Sequence, residues 1–460
     1  VKEGIMTDEI NRRDFLRRAA LTSAGVSLSM CGLSTGNVQG ANDRVRLGVI
    51  GAGRQGVDNM QNFIQHGVEV AAVCDVFQPN LDKGLAAAGG KAKALKDFRQ
   101  VLDDKEVDVV IVATPDHWHP LCMVMACQAG KDVYVEKPIS VAVEEGRKMV
   151  EAARKYQRVV QVGLWQRSNL HFQKAVGLVQ SGLLGKVSFV RTWNYANIYP
   201  QGIGNPADSD PPPGLDWDMW LGPAPKVPYN WNRFGVGDRW STFRYFYDYA
   251  NGWPGDWAVH LMDIVQWALK VDGPTTITAL GSKFYLQDNS DTPDTLQITW
   301  EYPTCVATYE NRLCNSNPPH KHDYGIEFHG TDGTMFLDRS GFQVFPEMLE
   351  ERGYRDLRRS EGKREHQELG KTPTMKMEEV DEGLFNHIGN LLECMRTRKT
   401  PQTDIEYGHR SSSPCLLGNV ALRSKERLEW DVANQKLTKG GPAAQKLLSR
   451  EYRAPWKLTV

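Results

Sequence analysis

Gly51-Ala52-Gly53-Arg54-Gln55-Gly56 follows a short apolar run and opens an amphipathic one, and Asp75 stands 24 residues after Gly51, at the end of the next apolar run. Glycines at this spacing permit a tight turn, bring backbone N–H groups up to a pyrophosphate and let helix and strand pack closely. A carboxylate at Asp75 would accept hydrogen bonds from ribose hydroxyls and repel a 2′-phosphate, which favours NAD over NADP. Three further segments hold side chains suited to proton and hydride chemistry. Ala113-Thr114-Pro115-Asp116-His117-Trp118-His119 and Val135-Glu136-Lys137-Pro138 each close an apolar run, and Gly255 to Asp263 carries Asp256 and His260. If that last segment is helical, the two residues lie at i and i+4, side by side on one face.

The elements that must position these residues are legible in the texture of the chain. Between Arg46 and Gly163, β-branched runs (Val45 to Ile50, Val68 to Cys74, Val107 to Ala113, Val133 to Val135, Val159 to Val162) alternate with helical patterns at Asn80 to Ala88, Leu121 to Ala129 and Val143 to Lys155. That alternation predicts an α/β domain, a doubly wound Rossmann parallel sheet over residues 42–165. Ligands of such sheets sit beyond the carboxyl ends of the strands, so Thr114, Pro115, His117, His119, Glu136 and Lys137 should border a bound nicotinamide. From Val187 to Phe345 the runs alternate apolar and polar residues, which predicts a C-terminal α+β domain over 166–435 with a large, open, mostly antiparallel sheet, followed by a tail over 436–460. The long stretch from Asn197 to Pro254, rich in Pro, Gly, Trp and Tyr, is expected to be a binding loop.

These segments resemble the Gfo/Idh/MocA oxidoreductases, the family of glucose-fructose oxidoreductase and inositol dehydrogenase. The resemblance is carried by VRLGVIGAGRQG from Val45, VDVVIVATPDHWH from Val107, AGKDVYVEKPIS from Ala129, GDWAVHLMD from Gly255, IEFHGTDGTMFLD from Ile326 and DIEYGHRSSSPCLLGNVALR from Asp404. It implies a dehydrogenase acting on a secondary alcohol of a sugar, cyclitol or related polyol. The family's Glu-Lys-Pro lysine falls on Lys137, and its paired acid and histidine fall on Asp256 and His260. In these roles Lys137 would stabilise a developing alkoxide, His260 would take the proton, and Asp256 would orient the substrate or the imidazole. Glu136 is expected at the cofactor, with a cis peptide at Pro138 aiming Lys137. Gln166 and Arg167 are candidate contacts to substrate or to the second domain. Asp116 departs from the family, which commonly carries Asn there. Family members often assemble as dimers or tetramers, so a homo-oligomer is expected.

The N-terminus frames where this chemistry would happen. Arg12-Arg13-Asp14-Phe15-Leu16-Arg17 precedes a mildly apolar stretch from Ala19 to Met30, and no acidic residue lies between Phe15 and Asn42. Residues 1–41 therefore read as a twin-arginine signal, handled by the Tat translocase and leading to the periplasm. Lipid anchoring at Cys31 is disfavoured, because Met30 precedes it where a small residue is usual. The stretch is too short for a membrane span. A net charge of -1 gives no footprint for nucleic acid. Eight cysteines without a CxxC fit free thiols in a protein folded before export, with Cys305 and Cys314 the one tempting pair. The histidine pairs His117/His119 and His320/His322 lack a further ligand at metal spacing, so no metal is expected. Tryptophans concentrated between Trp165 and Trp267 suit either core packing or the apolar faces of sugar rings. Two other readings use the same residues: a redox-neutral glycoside cleavage or epimerisation through a transient keto-sugar, and a non-catalytic, nucleotide-dependent sugar-binding protein.

Overall fold

In the computed structural model, the described residues are 44–235, 241–350, 366–368, 370–380 and 382–460. The expected leader, residues 1–41, lies outside them. Strands β1 (Arg46–Ile50), β2 (Glu69–Cys74), β3 (Lys93–Leu95), β4 (Val109–Val112), β5 (Asp132–Val135) and β6 (Val160–Val162) pair in parallel in the order β3-β2-β1-β4-β5-β6. Helices α1 (Arg54–Gln65), α2 (Gln78–Ala87), α3 (Phe98–Asp103), α4 (His119–Gln128) and α5 (Val143–Lys155) connect them. All four residues of β4 are buried, as expected of a strand covered on both faces. The order reverses between β1 and β4, and the crevice this opens at the strand ends is where a dinucleotide fits.

Helix α6 (Leu170–Gln180) leads into the second layer. There follow β7 (Val187–Tyr195), α7 (Trp217–Leu221), α8 (Trp231–Phe234), α9 (Val259–Leu269), β8 (Thr276–Ser282), β9 (Thr295–Glu301), β10 (Val306–Arg312), β11 (Tyr324–Gly330), β12 (Gly333–Asp338) and β13 (Gly341–Pro346). A separate pair, β14 (Met348–Glu350) and β15 (His366–Glu368), precedes β16 (Met375–Glu378), α10 (Gly383–Thr397), α11 (Ile405–Ser424), β17 (Leu428–Asp431), β18 (Lys436–Lys439) and α12 (Pro442–Leu447). Ten strands form one sheet in the order β16-β13-β12-β11-β7-β10-β9-β8-β17-β18. It is antiparallel except where β10 runs parallel to β7. Helices α6, α9 and α11 pack on it, and the core they share with the sheet holds Trp300, Tyr309, Phe328 and Leu417.

The stretch from Asn197 to Pro254, expected to be a binding loop, gives Met219, Trp220, Phe234, Phe243 and Arg244 to a cavity that also touches Gly51 and Asp75, while its Trp220, Leu221, Tyr229, Phe234, Phe246 and Tyr249 pack into an aromatic core of their own. Stacking accounts for this, with Trp217 on Trp220 at 4.8 Å and Tyr249 edge-on to Trp220 at 4.8 Å. Trp217 and Trp220 are thus held by packing, whereas Trp165 and Trp257 line the cavity. The 436–460 segment, for its part, returns to the first domain. Arg450 pairs with Glu145 at 2.7 Å, and the Trp456 ring meets Trp118 edge-on at 4.9 Å.

Candidate active site

The glycine turn is built by sterics. Gly51 sits at φ +91°, where a Cβ would fall 2.6 Å from the Ala113 carbonyl oxygen, and a Cβ on Gly56 would lie 1.9 Å from the Gly51 oxygen. Gly53 caps α1 without a side-chain hydrogen bond, so the first N–H groups of that helix stay available to an anion. At the end of β2 the Asp75 carboxylate accepts from the Ala52 N–H at 2.8 Å and the Phe77 N–H at 2.9 Å. Burial nonetheless pushes its pKa up to about 6. These features fit a bound adenine dinucleotide: a tight turn, open helix N–H groups, and an acceptor at the ribose position.

A cavity of about 830 Å³ runs from this turn to the second domain. Gly51, Gly53, Arg54, Gln55 and Asp75 line it at the glycine turn, and Thr114, Pro115, Asp116, His119 and Glu136 at the ends of the neighbouring strands. Lys137, Asp256 and His260 line it together on the side of the second domain. Ala52 and Gly56 stand behind the turn, where they shape it. His117 is buried away from the cavity, its Nε2 3.1 Å from the Trp220 carbonyl oxygen. His119 ties two strand ends together, its ring nitrogens 2.7 and 2.8 Å from the carbonyl oxygens of Pro138 and Thr114.

Lys137 precedes a cis proline. Its amine donates to the Asp256 carboxylate at 2.8 Å and to the Asp256 carbonyl at 3.0 Å. Arg244 Nε donates to the same carboxylate oxygen at 2.8 Å. Burial alone would raise the Asp256 carboxyl, but the two cations outweigh it and hold it below the ordinary carboxylate value. The expected i, i+4 pair is altered locally: a π-turn spans Pro254–Ala258 before α9 begins, a distortion common at functional sites. The carboxylate is engaged with Lys137 and Arg244, so it serves the lysine. Burial, with the charges of Lys137 and Arg339, lowers the His260 pKa well below its usual value, and its buried Nδ1 has no hydrogen-bond partner among the described residues. The lowered value favours the neutral ring, the form that accepts a proton. Glu136 is buried and accepts from Asn59 Nδ2 at 2.9 Å.

Asp116 is buried, and one of its carboxylate oxygens has no hydrogen-bond partner among the described residues. Burial, reinforced by Asp256 and partly offset by Arg244, pushes its pKa up to about 7. Gln166 is also buried, its amide reaching the His260 carbonyl at 3.2 Å once oriented to satisfy both ends. Arg167 is placed elsewhere. It forms a bidentate pair with Asp263, 2.9 and 2.7 Å at its closest, and lines a separate cavity with Trp267 and Tyr407. It therefore contacts the second domain and not the space in front of Lys137.

Arg244, Arg339 and Asn59 take part in this arrangement without having been singled out by sequence. Arg244 sits in the aromatic segment already marked as a binding element, which was its signal. A lone arginine after β12 and an asparagine inside α1 offer none. The described residues contain no group of three or more His, Cys, Asp or Glu that could hold a metal ion. Their seven cysteines are free thiols, Cys305 and Cys314 included. No helix among them is long and apolar enough to cross a membrane.

The fold and this cavity define a two-domain, dinucleotide-binding oxidoreductase architecture, and comparison with known proteins agrees. Residues 45–164 match the Gfo/Idh/MocA family's NAD-binding Rossmann domain, and residues 168–306 its C-terminal alpha/beta domain. Together the matches cover more than half of the chain, which belongs to that oxidoreductase family. It is 28% identical over 210 residues to a glycosyl hydrolase family 109 protein of Shewanella pealeana, covering 39% of this chain and 44% of that one. It is 30% identical over 161 residues to inositol 2-dehydrogenase of Salmonella typhimurium, covering 34% and 48%. The chain thus spans about half the length of the curated relatives it matches. Among solved structures, the WlbA dehydrogenase of Bordetella pertussis in complex with NADH and UDP-GlcNAcA matches with a TM-score of 0.61 at 18% identity, over 84% of this chain and 99% of that one. A levoglucosan dehydrogenase in complex with NADH and levoglucosan matches with a TM-score of 0.59 at 16% identity, over 84% and 99%. At these identities the likeness shows the fold.

Proposed function

We propose that this protein is an NAD-dependent dehydrogenase acting on a secondary ring hydroxyl of a sugar, glycoside or cyclitol, exported through the twin-arginine route. The observation that carries the reading is the placement of Lys137, Asp256 and His260 together in a cavity that also takes in the glycine turn. NAD bound along that cavity would supply the hydride acceptor. Asp256 fixes the Lys137 amine by two of its three N–H donors, which leaves one for the substrate oxygen. That donor favours the alkoxide over the alcohol, an effect worth about 10²–10³ in rate for a single donor. His260 takes the hydroxyl proton. An exported enzyme meets no pool of free NAD, so the cofactor should stay bound and be recycled in place.

The test is direct. Purified protein is incubated with a broad panel of sugars and cyclitols while the absorbance of bound NADH and the keto product are followed. Turnover that falls about 10²-fold or more in Lys137→Ala supports the reading; a panel without turnover, or turnover untouched in that variant, removes it. Similarity to glycosyl hydrolase family 109 proteins favours one second reading, redox-neutral glycoside cleavage. It would leave solvent deuterium in the released sugar with no net NADH.

A further inference from the structure

The catalytic side of the cavity carries one more cation than hydroxyl oxidation uses. Lys137 and Arg244 share Asp256. Arg339, in the turn between β12 and β13, lines the same cavity. Its guanidinium carbon stands 4.7 Å from the ring centroids of both Trp165 and Trp257, with Tyr324 at 5.9 Å. These are cation–π distances, so the fork is held by its flat faces while its edge stays free for hydrogen bonds. Its Nε donates to the Gln166 amide oxygen at 3.0 Å. The acids whose charge reaches it are otherwise engaged, Asp256 as above, Glu379 accepting from Asn169 Nδ2 at 3.4 Å and Asp338 with His322 at 2.6 Å. Among the described residues no carboxylate reaches ion-pair distance of Arg339.

Burial lowers the Arg339 pKa, which means that the surrounding protein does not fully offset the loss of water around this charge. An anion in the cavity would. The charge of Arg339 also bears on His260, so the fork and the proton acceptor face a common space. We propose that Arg339 binds a carboxylate on the substrate, so that the ring presented to Lys137 and His260 belongs to a sugar acid. The substrate class rests on the dehydrogenase reading; the anion site itself does not. A carboxylate is preferred to a phosphate on charge. Lys137 and Arg244 act together on two carboxylates, Asp256 and Glu136, which leaves one guanidinium without a counter-ion, a match for a single negative charge, whereas a phosphate monoester carries about 1.5 to 2 at neutral pH.

The experiment is calorimetric binding to the NAD-loaded, full-length protein. The probes are glucuronate, galacturonate and mannuronate against glucose, galactose and mannose, with the three hexose 6-phosphates as the third arm. At least one uronate should bind tenfold or more tightly than its neutral counterpart, and Arg339→Met, which fills the aromatic cage without charge, should erase the difference. Arg339→Lys should keep part of it, and carries the comparison if the methionine variant does not fold. Uronates that bind no better than neutral sugars, a preference that survives Arg339→Met, or a phosphate arm that binds best would each overturn the proposal. Acid-selective binding without NAD reduction would remove the dehydrogenase reading and leave the Arg339 site standing. Equal kcat/KM on acids and neutral sugars, with equal affinities, would do the reverse.

Discussion

Asp256 holds Lys137 twice, through its carboxylate at 2.8 Å and its backbone carbonyl at 3.0 Å, across 119 residues of sequence. A lysine stem is flexible and costs rotamer entropy to fix; two acceptors on one rigid turn fix it before substrate arrives. The Pro254–Ala258 π-turn supplies both acceptors from a single residue, so the chemistry depends on backbone geometry as much as on the side chain.

Asp256→Ala therefore removes an anchor and a counter-charge together. Lys137 and Arg244 are left facing each other, their side chains 14% and 23% exposed. Partial solvation tempers the cost of an uncompensated buried charge to about 2–4 kcal/mol. Urea denaturation should show that loss, and kcat should fall about 10²-fold or more. Asp256→Asn, which keeps an acceptor for Lys137, should recover part of kcat; equal losses in both variants would mean that the hydrogen bond to Lys137 is not what matters.

At the dinucleotide end, Gly56→Ala should abolish NAD binding while leaving the second domain folded. Its Cβ would lie 1.9 Å from the Gly51 carbonyl oxygen, a backbone atom that can yield only by opening the turn. Asp75→Ala should weaken NAD about tenfold or more, the loss of one or two hydrogen bonds to a charged acceptor, and narrow the gap between NAD and NADP. Equilibrium dialysis of the cofactor-stripped protein reads both. An unchanged NAD/NADP ratio would remove Asp75 from that selectivity.

How much of this was legible in sequence follows from range. The turn at Gly51, the carboxylate at Asp75 and the strand ends at Thr114 and Glu136 are local consequences of strand–turn–helix patterns, and the parallel sheet follows from them. Three-residue β3, with two of its residues exposed, carries no periodicity. The parallel pairing of β7 with β10 joins strands more than 100 residues apart and is set by sheet assembly. Asp256 and His260 were visible as a pair, but the π-turn that points the acid at Lys137 was not, because Pro254-Gly255 is equally compatible with an ordinary helix start. Arg339 and Arg244 acquire meaning only from what the folded chain places opposite them.

Arg167 gives a contrasting case, a buried arginine whose charge is fully used. Its bidentate bond to Asp263, which also accepts from Ser411 at 2.6 Å, lies between side chains 8% and 1% exposed. Arg167→Ala should cost about 3–5 kcal/mol, because Asp263 stays buried without its counter-ion. The KM for sugar should be unchanged under conditions where the variant is folded. A selective rise in KM with stability intact would instead return Arg167 to the substrate site.

Asp116 makes stability depend on pH in a direction opposite to a salt-bridged acid. Its folded pKa, pushed up to about 7 chiefly by burial, lies above the value of about 3.9 expected unfolded. Below pH 4 the carboxyl is protonated in both states and costs nothing. Between pH 4 and 7 the unfolded chain releases a proton that the folded chain keeps, so stability falls as pH rises, by up to about 4 kcal/mol, and then levels off. Asp116→Asn keeps the shape and has no proton to lose. The variant should match the parent near pH 4 and exceed it increasingly up to pH 8, as read by urea denaturation of the NAD-free protein across that range. Asp75, also raised, is common to both proteins and cancels in the difference. Parallel stability curves would show that Asp116 is ionised in the folded state without penalty, held by Arg244 and Lys137 more firmly than its burial disfavours it.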